Sequence, residues 1–469
     1  MIAKVLHLFG SNVMVKVSGI LFTMYIARVY GASLLGSYVL LISIVGLAVF
    51  LSKLGLFNAM EKKISEERTD EESILQTSFT VNFLLLLIVL ISMTVVHEWI
   101  FRYLNQDGHL LLLLLVIISA NYTNFFSILL KSKKRLSIYS NSLMIKDIMP
   151  KLIAILLLIA DFGFESFLYG LFIGETMALL YCLFHFLKLR SVQVIQIIGF
   201  TFASFEELFS IMKYSSVIEL RALTLNYVDI WMISFFLSQL HVGVYQVAWQ
   251  VATGVLMFNK AIAGVYYPYF SSWSSNNQMH KIVDFLENKI SYIYLFTIPA
   301  FFGVLAISDQ VMELFGEGFG AYSIVLIVLL VSSIFRASQE VVSKLLVAMN
   351  LPKITFDASL VAAIVNVVLN LVLIWSMGLV GAALASTVSV IVNNLICFGK
   401  LKQKISYRLK YNMIFINVGI SAVMCLVVFF VKYNYQTNVL INIVLALCIW
   451  SVLMVGTSHK HIRQLKGDF

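Results

Sequence analysis

Ala27-Arg28-Val29-Tyr30-Gly31-Ala32-Ser33-Leu34-Leu35-Gly36-Ser37-Tyr38 joins two apolar runs, 8–27 and 38–57. Each run has roughly the 20 residues a helix needs to cross a bilayer. The second leads into Lys53-Leu54-Gly55-Leu56-Phe57-Asn58-Ala59 and then into the charged Glu61-Lys62-Lys63-Ile64-Ser65-Glu66. Two membrane spans, a tight glycine-bearing turn and a charged exit therefore open the chain. The rest follows the same grammar.

Composition points the same way. Of 469 residues, 60% are hydrophobic and 12% charged, with a mean hydropathy of +0.93. Soluble domains carry about 25% charged residues, so the chain reads as an all-α integral membrane protein. Four prolines and no long polar run leave no room for a disordered tail. The net charge of +9 arises from loop bias rather than from a nucleic-acid surface. Cys182, Cys397, Cys425 and Cys448 all fall in apolar helices, which argues against a disulfide framework. The first run is long and lacks a small-residue cleavage site, so it reads as a retained helix rather than a signal peptide.

Windows of about 20 apolar residues predict fourteen spans. Six lie near 8–28, 37–58, 74–96, 110–130, 148–164 and 166–187. Six more lie near 209–236, 240–262, 288–307, 320–349, 356–376 and 379–399, and two near 411–431 and 438–456. Loops on one side carry Lys131, Lys133, Lys134 and Arg135, then Lys400, Lys402, Lys404, Arg408 and Lys410, and a tail with Lys460, Arg463 and Lys466. The other side holds little beyond Arg102 and Lys432. The positive-inside rule thus places both termini in the cytoplasm.

The chain also repeats itself. Gly36-x-Tyr38 recurs as Gly243-x-Tyr245, and Gly163 and Cys182 recur as Gly378 and Cys397. The expected organisation is a six-helix lobe over 1–187, a cytoplasmic linker over 188–208, a second six-helix lobe over 209–405, and two further helices with a basic tail over 406–469. Because both halves start on the same side, they form parallel repeats. Glu206 and Glu207 sit among apolar positions in the linker, a pattern that fits a surface-lying amphipathic helix.

The pattern A-R-x-x-G-x-x-x-x-G-x-Y, a helix, and then L-G-L-x-x-A resembles the start of the polysaccharide and lipid-linked oligosaccharide flippases, the O-antigen-type translocases. These belong to the multidrug/oligosaccharidyl-lipid/polysaccharide exporter superfamily. The resemblance implies the same two-lobe plan and covers essentially the whole chain. It also implies a polyprenyl-pyrophosphate-linked oligosaccharide as substrate, moved from the inner to the outer leaflet before polymerisation or transfer.

Ionisable groups inside bilayer helices are costly and usually face a bundle interior or a wet cavity. Asn12, Lys16, Gly19 and Thr23 form a polar stripe on the first span. Lys53 aligns with Ser43 and Gly46 on the second, and Gln246, Gln250, Thr253 and Lys260 form a stripe on the eighth. The repeat makes Lys53 and Lys260 equivalent, and two readings stand for them: cations of a shared cavity, or interfacial snorkels. Arg28, at a helix end, reads as a snorkel. Arg221 lies deep in the seventh span, with Asp229 on the same face. Ser332, Arg336, Glu340 and Lys344 recur at i,i+4 on the tenth, a stripe suited either to internal ion pairing or to substrate contact. The asparagine pairs Asn121 and Asn124, Asn366 and Asn370, and Asn393 and Asn394 read as interhelical glue.

The expected site is a cationic cavity in which Lys16, Lys53, Arg221, Lys260 and Arg336 hold a phosphate end through charge-assisted hydrogen bonds. Asp229, Glu340, Glu175 and Asp357 are the candidates for coupling to a proton or sodium ion, with local pairing as the competing role. No catalytic residue, metal or cofactor is expected; Gly316-Glu317-Gly318-Phe319-Gly320 follows no strand, and His97-Glu98 lacks a second histidine. Alternating access between two rocking lobes is the expected mechanism. The expected setting is the cytoplasmic membrane, with lipids and a polysaccharide polymerase as partners and no nucleic acid. Two rivals remain: a cation-coupled multidrug exporter, whose cavity would favour carboxylates, and a membrane glycan polymerase or ligase, which would carry a larger outer loop.

Overall fold

The computed structural model describes residues 2–66, 70–106, 108–188, 199–435 and 437–465, and among them every regular element is a helix. The chain forms two compact units, 1–231 and 232–469.

Unit 1 begins with α1, Ile2–Lys53, whose 52 residues would reach about 78 Å if straight, far beyond a hydrocarbon core of about 30 Å. Gly31 resolves the mismatch by leaving the helical region, at φ 86° and ψ 169°. The rings of Phe22 and Tyr38 then come within 5.1 Å of each other, where straight helix would hold them about 24 Å apart. The opening turn is therefore a helical hairpin hidden inside one long element. α2 (Leu56–Ser65), α3 (Glu71–Leu104), α4 (Leu110–Ser132), α5 (Leu136–Ile159), α6 (Glu165–Leu187) and most of α7 (Phe202–Phe236) complete the unit.

Two polar devices hold these apolar helices in register. Ser52 on α1, Asn82 on α3 and Asn121 on α4 form a closed, fully buried network with hydrogen bonds of 2.8–3.3 Å. Next to it, the backbone breaks at Leu54 and Gly55, both at positive φ. The second device is steric. Gly170 and Gly174 on α6 face Pro150 of α5, and a Cβ on either would collide with that turn. Pro150 lacks the N–H that would bond the carbonyl of residue 146, and the small residues opposite let α6 approach the interrupted turn.

Unit 2 contains α8 (Gln239–Gly254), α9 (Met257–Ser275), α10 (Met279–Asp284), α11 (Tyr294–Ala306), α12 (Ser308–Glu313), α13 (Ser323–Ala348), α14 (Pro352–Met377), α15 (Leu379–Lys404), α16 (Asn412–Tyr435) and α17 (Val439–Leu465). A π turn and a 3-10 turn connect α10 to α11. The closest echo of unit 1 is the pair α14 and α15. Gly378, like Gly163 before α6, has φ 58°, and Gly381 presses against the α14 backbone as Gly170 presses against α5.

Several expected boundaries move. The fifth span, expected over 148–164, is α5 from Leu136 to Ile159, because Pro150 sits inside the helix rather than at its start. The eighth, expected as one helix over 240–262, is broken between α8 and α9. Among the described residues nine helical segments are long and apolar enough to cross a membrane, α1 counting once despite its two arms, and Tyr227–Phe236 and Val439–Met454 are shorter apolar helices. Of the expected linker, 189–198 lie outside the described residues, while Glu206 and Glu207 belong to the first turns of α7. Gly199, Thr201 and Ser204 hydrogen-bond to Thr80, Thr77 and Ser73 of α3, and Glu207 pairs with Lys63 at 2.7 Å.

Candidate functional site in unit 1

The second arm of α1 and the 212–231 stretch of α7 run antiparallel, stitched at four levels. Trp231 Nε1 donates to Ser43 Oγ at 2.9 Å. Tyr227 lies across Gly46, where a Cβ would come 3.3 Å from its hydroxyl. Lys53 Nζ is 3.2 Å from Glu219 Oε2. A Cβ on Gly55 would lie 2.6 Å from the Ser216 backbone nitrogen.

Behind this seam lies a cavity of about 570 Å³, walled by the second arm of α1, α4, α5, α6 and α7. Tyr38, Ile42, Val45, Val49 and Lys53 follow one helical face of α1. Lys146, Asp147, Pro150 and Lys151 come from the interrupted turn of α5, Glu175 from α6, and Glu219 and Tyr227 from α7. Three lysines thus meet three carboxylates, so the lining is balanced in formal charge rather than dominated by cations. The lysines are held differently. Lys53 is paired with Glu219, whereas Lys146 Nζ donates to the amide oxygen of Asn124 at 2.9 Å. Glu175 is nine-tenths buried, and its Oε2 is without a hydrogen-bond partner in the protein. Such a lining offers ammonium donors and amide groups to an anionic headgroup, and carboxylates to a cation or proton.

The predicted site residues divide. Lys53 and Glu175 line this cavity. Lys16 is half-buried on the first arm of α1, away from the lining, and Arg28 is exposed. The side chain of Arg221 lies outside the described residues; Asp229 is buried on α7. In unit 2, Lys260 is 60% exposed at 3.9 Å from Glu340, Arg336 lies 4.6 Å over the Trp249 ring, and Lys344 lies 5.6 Å over Tyr267. Asp357 is exposed in the first turns of α14. Lys53 and Lys260, equivalent in the sequence repeat, fall on opposite sides of the local break: Lys53 closes α1 before it, and Lys260 opens α9 after it. A second cavity of about 300 Å³, in unit 2 between α9, α11, α16 and α17, is lined by apolar side chains alone and offers nothing to a charged group.

Lys146, Asp147, Lys151 and Glu219 escape the sequence reading. Lys151 and Glu219 fall inside the expected spans 148–164 and 209–236 without being read as site residues, and Lys146 and Asp147 join a helix only once α5 starts at Leu136.

The polysaccharide biosynthesis protein family matches residues 25–323. The "Probable low-salt glycan biosynthesis flippase Agl15" of Haloferax volcanii is 30% identical over 429 residues, 91% of this chain and 88% of that protein. The chain belongs to this family. "Probable flippase AglR" of the same organism is 22% identical, covering 91% of this chain and 89% of the relative. Among solved structures, "Lipid II flippase MurJ, inward closed conformation" shares the fold at TM-score 0.78 and 17% identity, over 97% of this chain and 99% of that one. An inward-facing MATE multidrug transporter of the MOP superfamily follows at 0.67 and 12%, over 84% and 94%. The family resemblance read from the opening motif is therefore the chain's own family, and its class is a multi-pass membrane transporter rather than an enzyme.

Proposed function

We propose that this protein is a flippase that moves a polyprenyl-(pyro)phosphate-linked oligosaccharide from the inner to the outer leaflet of the cytoplasmic membrane, for surface polysaccharide biosynthesis. The observation that carries this reading is the 30% identity to a glycan biosynthesis flippase along 91% of the chain. The cavity of unit 1 supports it chemically. Lys53, Lys146 and Lys151 supply point charges for phosphate oxygens, and Asn124 and the two tyrosines supply neutral hydrogen bonds. Lys260 and Arg336 contribute cations in unit 2, and Lys16 and Arg221 complete the proposed set. Transport proceeds by alternating access, driven by a proton or sodium ion that acts on one carboxylate among Glu175, Asp229, Glu340 and Asp357. Both termini lie in the cytoplasm, and a polymerase receives the product on the outer face.

Translocation of a lipid-linked oligosaccharide in proteoliposomes tests this directly. Lys53→Ala and Lys146→Ala each lose about tenfold or more in rate at normal expression, the scale of a lost charged hydrogen bond. A wild-type protein that moves no glycolipid but exports organic cations overturns the reading. The three carboxylates of the cavity favour that second activity, and the same vesicles measure it.

A further inference from the structure

Glu219 clasps both sides of a backbone break. Its Oε1 accepts a hydrogen bond from Asn58 Nδ2 at 2.7 Å, and its Oε2 lies 3.2 Å from Lys53 Nζ. Lys53 is the last residue of α1, and Asn58 stands in the first turn of α2. Between them Leu54 and Gly55 have φ of 39° and 74°. Gly55 fits against the α7 backbone so closely that a Cβ would lie 2.6 Å from the Ser216 nitrogen and 2.9 Å from the Met212 oxygen. One carboxylate therefore fixes where the end of α1 and the start of α2 sit on α7.

The clasp is not inert packing. Lys53 and Glu219 both line the cavity, with side chains 20% and 17% exposed. The Lys53 ammonium has a second partner in the Phe57 ring, 5.8 Å away, inside the range of cation–π attraction. Glu219 likewise keeps Asn58 as a donor if Lys53 leaves. Breaking a buried pair is costly mainly because it orphans the remaining charge; here Glu219 keeps a neutral donor on Oε1, while its buried Oε2 loses its counter-charge, a loss the ligand must offset. A diphosphate entering the cavity brings more charge and more acceptors than one carboxylate.

We propose that the Lys53–Glu219 pair is a ligand-displaceable latch: a diphosphate-bearing ligand takes Lys53 from Glu219 and so frees the end of α1 from α7, while Asn58 keeps the start of α2 on Glu219. This rests on the reading of the cavity as an anion site. Glu219 is then a positioning residue that competes with the ligand, lowering its affinity and enabling its release.

Calorimetric titration of the full-length protein in nanodiscs, with inorganic pyrophosphate and with geranylgeranyl diphosphate as probes, tests the latch. Glu219→Gln keeps the acceptor for Asn58 and removes only the charge. It binds a probe about five- to tenfold more tightly than wild type, the effect of deleting one paired competitor. In a Lys53→Gln background that gain disappears. Hydrogen exchange at 54–57 and 212–219 rises in wild type when probe is added, and is already raised in Glu219→Gln without it. Unchanged affinity in Glu219→Gln, or an equal gain without Lys53, overturns the latch while leaving the anion site standing. Failure of both probes to bind wild type overturns the two together. A Lys53-dependent gain confined to the prenylated probe supports a lipid-borne ligand, and one confined to free pyrophosphate supports the latch with a soluble anion.

Discussion

Asn121 shows how a single residue earns its place in an apolar helix. It accepts hydrogen bonds from Ser52 and Asn82 and donates one back to Asn82, all without exposure to solvent. Asn121→Ala leaves Asn82 Oδ1 without its donor, while Ser52 keeps Val49 O and Asn82 Nδ2 keeps Ser52 O. One stranded group costs about 1–3 kcal/mol in water, moderated because bonds inside membranes average about 0.6 kcal/mol. Thermal unfolding in detergent, followed by tryptophan fluorescence, is expected to show a midpoint lowered by a loss of about 1–2 kcal/mol; an unchanged midpoint would mean that water or rotamer change replaces the network. The asparagines were legible in the sequence as interhelical glue, because an amide within an apolar run has few other uses. Lys53 was legible as well, since it interrupts a hydrophobic stripe. Lys146, Asp147 and Lys151 were not. Lys146 and Asp147 lie N-terminal to Pro150, where hydropathy falls and the expected span has not begun, and Lys151 directly follows the proline; only the tertiary approach of α6 shows that one helix runs through all three.

Among elements, the pairing of α5 with α6 shapes the wall of the cavity. Gly174 faces the rigid ring of Pro150 with no room for a side chain, so Gly174→Ala forces the helices apart at a cost of about 1–3 kcal/mol. Gly419 in α16 is the control, with no atom within 4 Å of its virtual Cβ; there alanine is expected to be neutral or to stabilise by about 0.5–1 kcal/mol. Differential unfolding of the two variants measures the contrast, and equal effects would remove the steric account. Gly174→Ala also shifts Lys146 and Lys151, so it is expected to slow transport along with lowering stability. Helix existence was legible almost everywhere from hydropathy. Helix ends were not: α5 runs through polar residues that its neighbours shelter, α3 runs past both expected ends through exposed ones such as Glu71, Glu98 and Arg102, and the α8–α9 break has no proline or charge to announce it.

For the whole molecule, composition determines class, because bilayer insertion depends on summed hydrophobicity rather than on packing detail, and the loop charges predict an orientation. The cytoplasmic assignment of the basic loops is open to a direct check. In a variant lacking Cys182, Cys397, Cys425 and Cys448, a cysteine at Asn434 is expected to react with an impermeant maleimide from outside intact cells, and one at Lys402 only after permeabilisation. The reverse pattern would invert the transporter and, with it, the direction of flipping. α16 separates these two positions by one crossing, so the comparison does not depend on the total number of spans. The Gly31 turn bears on biogenesis. No neighbouring atom lies within 4 Å of the position its Cβ would occupy, and the turn follows from backbone dihedrals alone. It is therefore available as soon as these residues leave the ribosome, before any later helix exists to support it. The two arms of α1 can then enter the translocon as a preformed pair, closed on each other before most of the protein has been translated.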